Sequence, residues 1–322
     1  MATREHINEY FNGQAFMVLS ALVMVLAAAV AWMMGVQPPL GTGTGVFFSL
    51  ADAPIGHGPL SAVINVLCLL ATGGILLAVN KVFTFARSMT HLFASAFFLL
   101  QLANPSGLVA FNAGTLMALV TALSMLPLFA SYQDKHSQHA IFLIFALVAA
   151  GSMFHYGFLV LLPAFVMGFL YMGVFNLKGV LAMLFGLVTP FWIVLGLGIA
   201  SPADFTMPRL WGVWQLAGQG PLDTMAVVAA VIAAVGLVLA GMNIYSIMKY
   251  RRQTRVYNAF IIIVLLLSVC ALAVDVGDIS TFLPLLNLTV AVQVSLITHR
   301  HRYVFLLLFI AACLCACAAS LI

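Results

Sequence analysis

Two side chains that can transfer protons lie close together in the polar stretch 35–60, GVQPPLGTGTGVFFSLADAPIGHGPL. Asp52 and His57 stand there among glycines and prolines. Glycine and proline alone can make the turns of such a segment, so the Asp52 carboxylate is not needed for them. A carboxylate can act as a general base, and a histidine can orient a substrate. We predict both residues to be catalytic. We predict no metal, because one His and one Asp are too few ligands.

A second long polar interruption, 200–223, carries Arg209 and Trp211. A guanidinium fork suits phosphate recognition, and tryptophan belongs at membrane interfaces. We predict that both residues bind substrate, in a short helix, Phe205–Gln215, lying flat on the membrane surface. Snorkelling of Arg209 beside Trp211 is the alternative. His155 ends the tight turn GSMFH, so its role is either substrate binding or structural.

The composition places these residues in a membrane protein. Of the 322 residues, 64% are hydrophobic and only 6% are charged, against about a quarter charged in soluble domains. The net charge is +4, and no basic run is interleaved with aromatic residues in a polar segment. We therefore exclude nucleic-acid binding and predict an all-α transmembrane bundle forming a single domain over 1–322.

Apolar runs long enough to cross a bilayer, about 20 residues each, recur along the whole chain. The long run 141–175 is divided into two short helices by the turn around His155. The predicted spans are Ala15–Met34, Leu60–Val79, Ser88–Leu102, Ala113–Ala130, the two halves of Ile141–Phe175, Gly179–Ile199, Met225–Met248, Val256–Val274, Phe282–Ile297 and Tyr303–Ala319. That gives eleven spans.

Charge predicts the orientation of these spans, because lysines and arginines accumulate in cytoplasmic loops. With the N-terminus inside, eleven of the chain's twelve lysines and arginines fall on the inner side, and only Arg209 falls outside. The stretches 35–60 and 200–223 then lie at the outer face. We predict an integral protein of the bacterial cytoplasmic (inner) membrane whose candidate catalytic residues face outward.

No nucleotide-binding loop, zinc signature or nucleophile elbow occurs in the sequence, and we predict no cofactor. Cys313, Cys315 and Cys317 lie inside an apolar run without a His or carboxylate nearby. Buried cysteine behaves as a small hydrophobic residue, so we do not assign them a metal or redox role. Asp223 and Asp278 precede helices and are predicted to be caps or solvated.

The layout from Asp52 to Gly198 resembles that of the GT-C glycosyltransferases, membrane enzymes that use polyprenyl-phosphate sugars. Ala51-Asp52-Ala53 stands where those enzymes carry a catalytic carboxylate, in the outer loop after the first helix. Lys81 and Arg87 open the third helix as basic residues do there. The run LVAAGSMFHYGFLVLLPAFVMGFLYMGVFNLKGVLAMLFGLVTP is similar to their short helical pair with a proline-containing second member.

The resemblance implies a mechanism. A sugar on a lipid phosphate would enter from the outer leaflet, Asp52 would act as general base for the acceptor hydroxyl, and Arg209 would hold the leaving phosphate. The sequence departs from the family in having a single acid in the first outer loop and none in 104–112. The large soluble domain of some members is also absent.

Two other classes of function fit the same sequence. A transporter or lipid translocase would have a polar path lined by intramembrane amides such as Asn287 and Gln293. A non-catalytic assembly subunit would instead have a lipid-facing groove of small residues for a membrane-protein partner. The position of the polar and apolar cavities distinguishes the three.

Overall fold

The computed structural model describes residues 13–37, 44–48, 58–85, 91–207, 224–247 and 250–297. These residues form helices joined by short turns. The helices are α1 Gln14–Met33, α2 Gly58–Phe83, α3 Leu92–Gln101, α4 Pro105–Val109, α5 Ala113–Ala130, α6 Gln138–Phe154, α7 Leu161–Met172, α8 Leu177–Gly196, α9 Thr224–Ile247, α10 Arg252–Val274 and α11 Ile279–Ile297. A 3₁₀ turn, Tyr156–Val160, leads into α7.

Seven of these helices, α1, α2, α5, α8, α9, α10 and α11, are long and apolar enough to cross a membrane. The structure therefore supports a protein that spans the membrane several times. Three predicted spans coincide instead with shorter apolar helices, Leu92–Gln101, Gln138–Phe154 and Tyr156–Met172. The predicted span Tyr303–Ala319 lies outside the described residues. The total of eleven spans thus remains a prediction.

The helix α11 forms the centre of the bundle, since 94% of the residues in its 18-residue apolar stretch are buried. Buried amides fix its neighbours. Asn287 Nδ2 donates to the carbonyl of Leu100 in α3, at 3.2 Å. Gln293 Nε2 donates to Asn258 Oδ1 in α10, at 3.1 Å. In hydrocarbon such amides have no water to bond, so they hold helices together.

The helical backbone is interrupted between α3 and α4, at Asn104 and Pro105. The Asn104 side chain accepts from Gly107 N at 3.0 Å and so begins α4. Asn65 of α2 donates to the carbonyls of Gly107 and Leu108, at 2.9 and 3.1 Å. These bonds satisfy backbone groups near the break, which is how irregular backbone is tolerated at membrane depth.

The described charges separate to the two ends of the bundle. At one end, called here the cationic end, α2 and α5 finish and α6, α8 and α10 begin. All six described lysines and arginines lie there: Lys81, Lys135, Lys178, Arg251, Arg252 and Arg255. At the opposite end, called the junction end, α6 and α10 finish and α11 begins. Three of the four described acids lie there: Asp204, Asp275 and Asp278.

Candidate functional site

The segment 44–48 lies across the end of α6. Val46 N donates to Ser152 O at 3.1 Å, and the amides of Phe47 and Phe48 donate to Met153 O at 3.3 and 3.0 Å. The last carbonyls of a helix have no partners within the helix, so this segment supplies them. We call the contact between 44–48, Ser152–Tyr156 and Thr206 the loop junction.

The close approach at the loop junction depends on Gly45. A Cβ atom at this position would lie 2.0 Å from Met153 O and 2.4 Å from the carbonyl carbon of Phe154. No Cβ atom fits at such distances, so only glycine allows the segment to lie against the end of α6. Nothing in the sequence distinguishes Gly45 from its glycine neighbours.

Thr206 brings the second polar interruption into the loop junction. Its hydroxyl donates to Gly45 O at 2.6 Å, and its amide donates to Val46 O at 3.2 Å. The Tyr156 hydroxyl donates to the carbonyl of Thr206. The two long polar stretches of the sequence therefore meet at one end of the bundle.

A short turn precedes Thr206 and is stabilised by its own carboxylate. Asp204 Oδ2 accepts from the amide and the hydroxyl of Ser201, at 2.7 and 2.9 Å. Backbone and side-chain donation from Ser201 lowers the pKa of Asp204, because both bonds favour the charged form. The turn directs the chain toward Gly45 and Val46.

His155 belongs to the loop junction, and its side chain is buried together with Asp278. Its Nδ1 accepts from Gly157 N at 2.9 Å, so the ring proton must be on Nε2. The Nε2–H group donates to Asp278 Oδ2 at 2.5 Å. The other oxygen, Oδ1, accepts from the Thr281 hydroxyl at 3.0 Å. A neutral imidazole therefore pairs with a doubly hydrogen-bonded carboxylate.

This arrangement joins two turns. His155 belongs to the connection between α6 and α7, and Asp278 directly precedes α11. Both ring nitrogens are already bonded, so the imidazole can fix the backbone of the loop junction. The predicted split of 141–175 around His155 is confirmed. The prediction that Asp278 is a cap or is solvated missed its pairing with His155, and solvation is wrong, since its side chain is 0% exposed.

An apolar groove of about 440 Å³ opens between α6 and α8 and reaches the loop junction. Its lining includes Phe48, Leu143, Ala150, Phe154, Pro190 and Val194. The two helices touch closely at Gly186, where a Cβ atom would lie 2.6 Å from Phe142 O. Pro190 follows one turn later and cannot donate to the Gly186 carbonyl. Leu143 and Ile193 are 48% and 50% exposed, so the groove is open to lipid.

A second apolar groove, of about 320 Å³, opens between α1, α2 and α3. Small residues lie in its wall, among them Ala21, Gly73, Gly74 and Ala94. Leu22 on its rim is 54% exposed. This groove lies away from the loop junction.

The amides proposed as a polar path are engaged in contacts between helices. Asn243 Nδ2 donates to Gln293 Oε1 at 2.6 Å and to Gln293 O at 2.9 Å. Gln293 in turn donates to Asn258. Asn287 bonds to Leu100 O. At least one polar atom of each of these side chains is therefore used in a hydrogen bond between helices.

Of the predicted site residues, the structure places His155, whereas Asp52, His57, Arg209 and Trp211 lie outside the described residues. Within the described ranges, no group of three or more His, Cys, Asp or Glu side chains could hold a metal ion. The residues that sequence reasoning missed are Gly45, Thr206 as a bridge, and Asp278 as the partner of His155.

Comparison with known proteins identifies no relative. No protein-family model, no curated protein and no solved structure matches the chain.

Proposed function

We propose that this membrane protein binds a lipid-linked substrate at the loop junction and transfers its sugar, as the GT-C glycosyltransferases do. The observation that carries the proposal is the groove between α6 and α8, which is open to lipid and reaches Phe48 and Phe154 at the loop junction. An isoprenoid or acyl chain would lie in this apolar groove. The polar head group would then meet the two polar loops.

Chain length supports a site that combines both loops. Asp52 follows Phe48 by four residues, and Arg209 follows Thr206 by three. A chain extends at most about 3.6 Å per residue, so the two residues can lie no farther than about 14 and 11 Å from those anchors. Thr206 itself is bonded to Gly45 and Val46. Chain length therefore permits Asp52 and Arg209 to meet near the loop junction, as the proposal requires.

The proposed reaction uses these groups in separate roles. Asp52 removes the proton of the acceptor hydroxyl, whose oxygen attacks the anomeric carbon of the sugar. The bond from that carbon to the phosphate oxygen breaks, and the lipid phosphate leaves with the electron pair. Arg209 stabilises the charge that develops on the phosphate. His57 orients the acceptor, Trp211 contacts the lipid at the interface, and His155 positions the loop junction.

The charge asymmetry supports a proposal for where this reaction takes place. The junction end carries the described acids Asp204, Asp275 and Asp278, and the cationic end carries the described lysines and arginines. Cytoplasmic loops collect positive charge. We therefore propose that the loop junction faces outward from a bacterial inner membrane, with the N-terminus inside.

A second candidate function is that of a non-catalytic assembly subunit. The groove between α1, α2 and α3, with Gly73 and Gly74 in its wall, favours it. Small residues allow a transmembrane helix to approach closely. A partner helix in this groove is compatible with a separate lipid site, and the experiment below distinguishes the two grooves.

The test compares matched leucines in the two grooves. Leu143 and Leu22 are 48% and 54% exposed and lie in different grooves. Each is replaced by benzoylphenylalanine, and the membranes are irradiated. We expect the label at Leu143 to capture a prenyl-phosphate lipid, identified by mass spectrometry, and the label at Leu22 not to. Equal labelling at both positions, or protein alone at Leu143, would contradict a lipid-carrier site.

Turnover then tests the catalytic part. With a prenyl-phosphate sugar as donor, Asp52→Asn should reduce transfer by roughly 10²- to 10⁴-fold, as is typical for a missing general base. Arg209→Ala should mainly weaken donor binding. Lipid capture at Leu143 without any sugar transfer would retain lipid binding and reject the enzyme.

A further inference from the structure

Three arginines cluster where α10 begins, at the cationic end. Arg251 directly precedes the helix, and Arg252 and Arg255 belong to its first five residues. Residues three apart share a helix face, so Arg252 lies on the side of Arg255, and Arg251 adjoins them as the residue before the helix. The side chains of Arg251 and Arg252 are exposed, and that of Arg255 is partly exposed.

No carboxylate compensates this charge within the part of the chain that the structure describes. The one described acid at the cationic end, Asp134, accepts hydrogen bonds from His136 N and the Ser137 hydroxyl. The other described acids lie at the junction end. Like charges on one helix face repel each other, and the positive end of the helix dipole adds to the effect. The cluster therefore favours an anionic ligand.

The first turn of α10 is held in place by an aromatic anchor. Gln253 Nε2 donates to the Tyr257 hydroxyl at 2.5 Å, and that hydroxyl donates to Phe129 O at 3.0 Å. The rings of Tyr257 and Phe129 are stacked with their centroids 4.2 Å apart. The backbone that carries the arginines is thus fixed against α5. Binding of a ligand therefore costs less conformational entropy.

The position of the cluster indicates what kind of anion it meets. The apolar run of α10 follows directly after the arginines, which places them at the membrane surface, where lipid phosphates lie. Tyr245 of α9 is 78% exposed and Tyr250 is 45% exposed. Exposed tyrosines near helix ends are typical of the membrane–water interface. The phosphate of a lipid head group is therefore the anion that lies nearest to these arginines.

We propose that Arg251, Arg252 and Arg255 bind the phosphate of an anionic phospholipid head group. Guanidinium groups bind phosphate oxygens in pairs of parallel hydrogen bonds. The lipid chains lie against the exposed apolar surface of α9 and α10, where Ile244 and Leu266 are 52% and 47% exposed. This site is at the opposite end of the bundle from the loop junction and does not depend on the proposed sugar transfer.

The test measures lipid binding to the purified full chain. The protein in mild detergent is titrated with phosphatidylglycerol or with zwitterionic phosphatidylcholine, and bound lipid is counted by native mass spectrometry. We expect phosphatidylglycerol to bind more tightly. Each surface arginine contributes about fivefold to the attraction of anionic lipid, so changing all three to Gln should weaken binding on the order of 100-fold.

A matched control removes the same charge from the same end. The other three described cations, Lys81, Lys135 and Lys178, are changed together to Gln. This variant should retain most of its preference for phosphatidylglycerol. An equal loss in both triple variants would overturn the site in favour of diffuse attraction to the whole cationic end.

Two further measurements on the unmodified protein identify the ligand. A photo-reactive phosphatidylglycerol should label the peptide that contains 250–257, and failure to label it would overturn the proposal even if the arginine variant does not fold. Inorganic phosphate, added at the same phosphate concentration, should not displace the lipid. Displacement by inorganic phosphate at that concentration would show a site for free phosphate instead.

Discussion

Nε2 of His155 lies 2.5 Å from Oδ2 of Asp278, although the two residues are 123 positions apart in sequence. Both side chains are buried. The bond connects the turn after α6 with the start of α11, the most buried of the seven helices that are long and apolar enough to cross a membrane. Because 44–48 contacts the same end of α6, the His155–Asp278 pair stabilises the loop junction.

Removing His155 should destabilise the protein strongly. In His155→Ala the Asp278 carboxylate keeps only the Thr281 hydroxyl and becomes a buried charge without its main donor. A buried charged acceptor that loses its hydrogen-bond donor costs about 3 kcal/mol. The measurement is the free energy of unfolding in detergent, by circular dichroism during denaturant titration.

The isosteric change Asp278→Asn is the matched control for this prediction. The amide oxygen can accept from His155 Nε2, and the amide nitrogen can donate to the Thr281 hydroxyl. Both bonds are retained, so we expect a loss of about 1 kcal/mol or less. If Asp278→Asn cost as much as His155→Ala, the two hydrogen bonds alone would not explain the stability of this pair, and the negative charge itself would be required.

The sequence predicted the helices well because apolar runs and polar breaks are local. The turn at His155 followed from a run too long for one span, interrupted by Gly151 and Ser152. The pairing with Asp278 depends on the tertiary contact between the turn after α6 and the start of α11, which no local pattern records. Asp278 directly before a helix has the same local signature as an ordinary cap. Gly45 likewise acquires its role only from the Met153 carbonyl opposite it.

Gly45→Ala should open the loop junction. The added methyl group would lie 2.0 Å from Met153 O, so 44–48 must move away from α6 and lose its bonds to Ser152 and Met153. Limited proteolysis should then cut the chain near Gly45 faster than in the unmodified protein. Gly74→Ala is the control, because nothing lies within 4 Å of a Cβ atom there. Equal protease resistance of both variants would disprove the close contact.

Gln293 should act as a connection between helices. Gln293→Leu removes the Oε1 acceptor of Asn243, which keeps its bond to the carbonyl of residue 293, and removes the donor to Asn258 Oδ1. A buried unsatisfied group costs about 1–3 kcal/mol. Replacing all three amides by Leu should restore part of the loss, since no unpaired group remains. Thermal unfolding of the single and triple variants measures this. A polar transport path predicts the opposite pattern, in which stability is unchanged and uptake of a solute is lost.

The orientation of the bundle can be tested at its two described ends. Ala203 is exposed beside the loop junction, and His136 is exposed at the cationic end. Each is changed to Cys in a variant whose own five cysteines are replaced by Ser or Ala. Because positive charge collects in the cytoplasm, a membrane-impermeant thiol reagent should label Ala203→Cys in intact cells. It should label His136→Cys only after the membrane is permeabilised.

Fusions of a reporter enzyme after Gln138 and Arg255 should likewise report the cytoplasm. Labelling of His136→Cys in intact cells would show that the protein has the opposite orientation in the membrane. It would then place the loop junction on the cytoplasmic side, away from the outer leaflet that the proposed donor lipid requires.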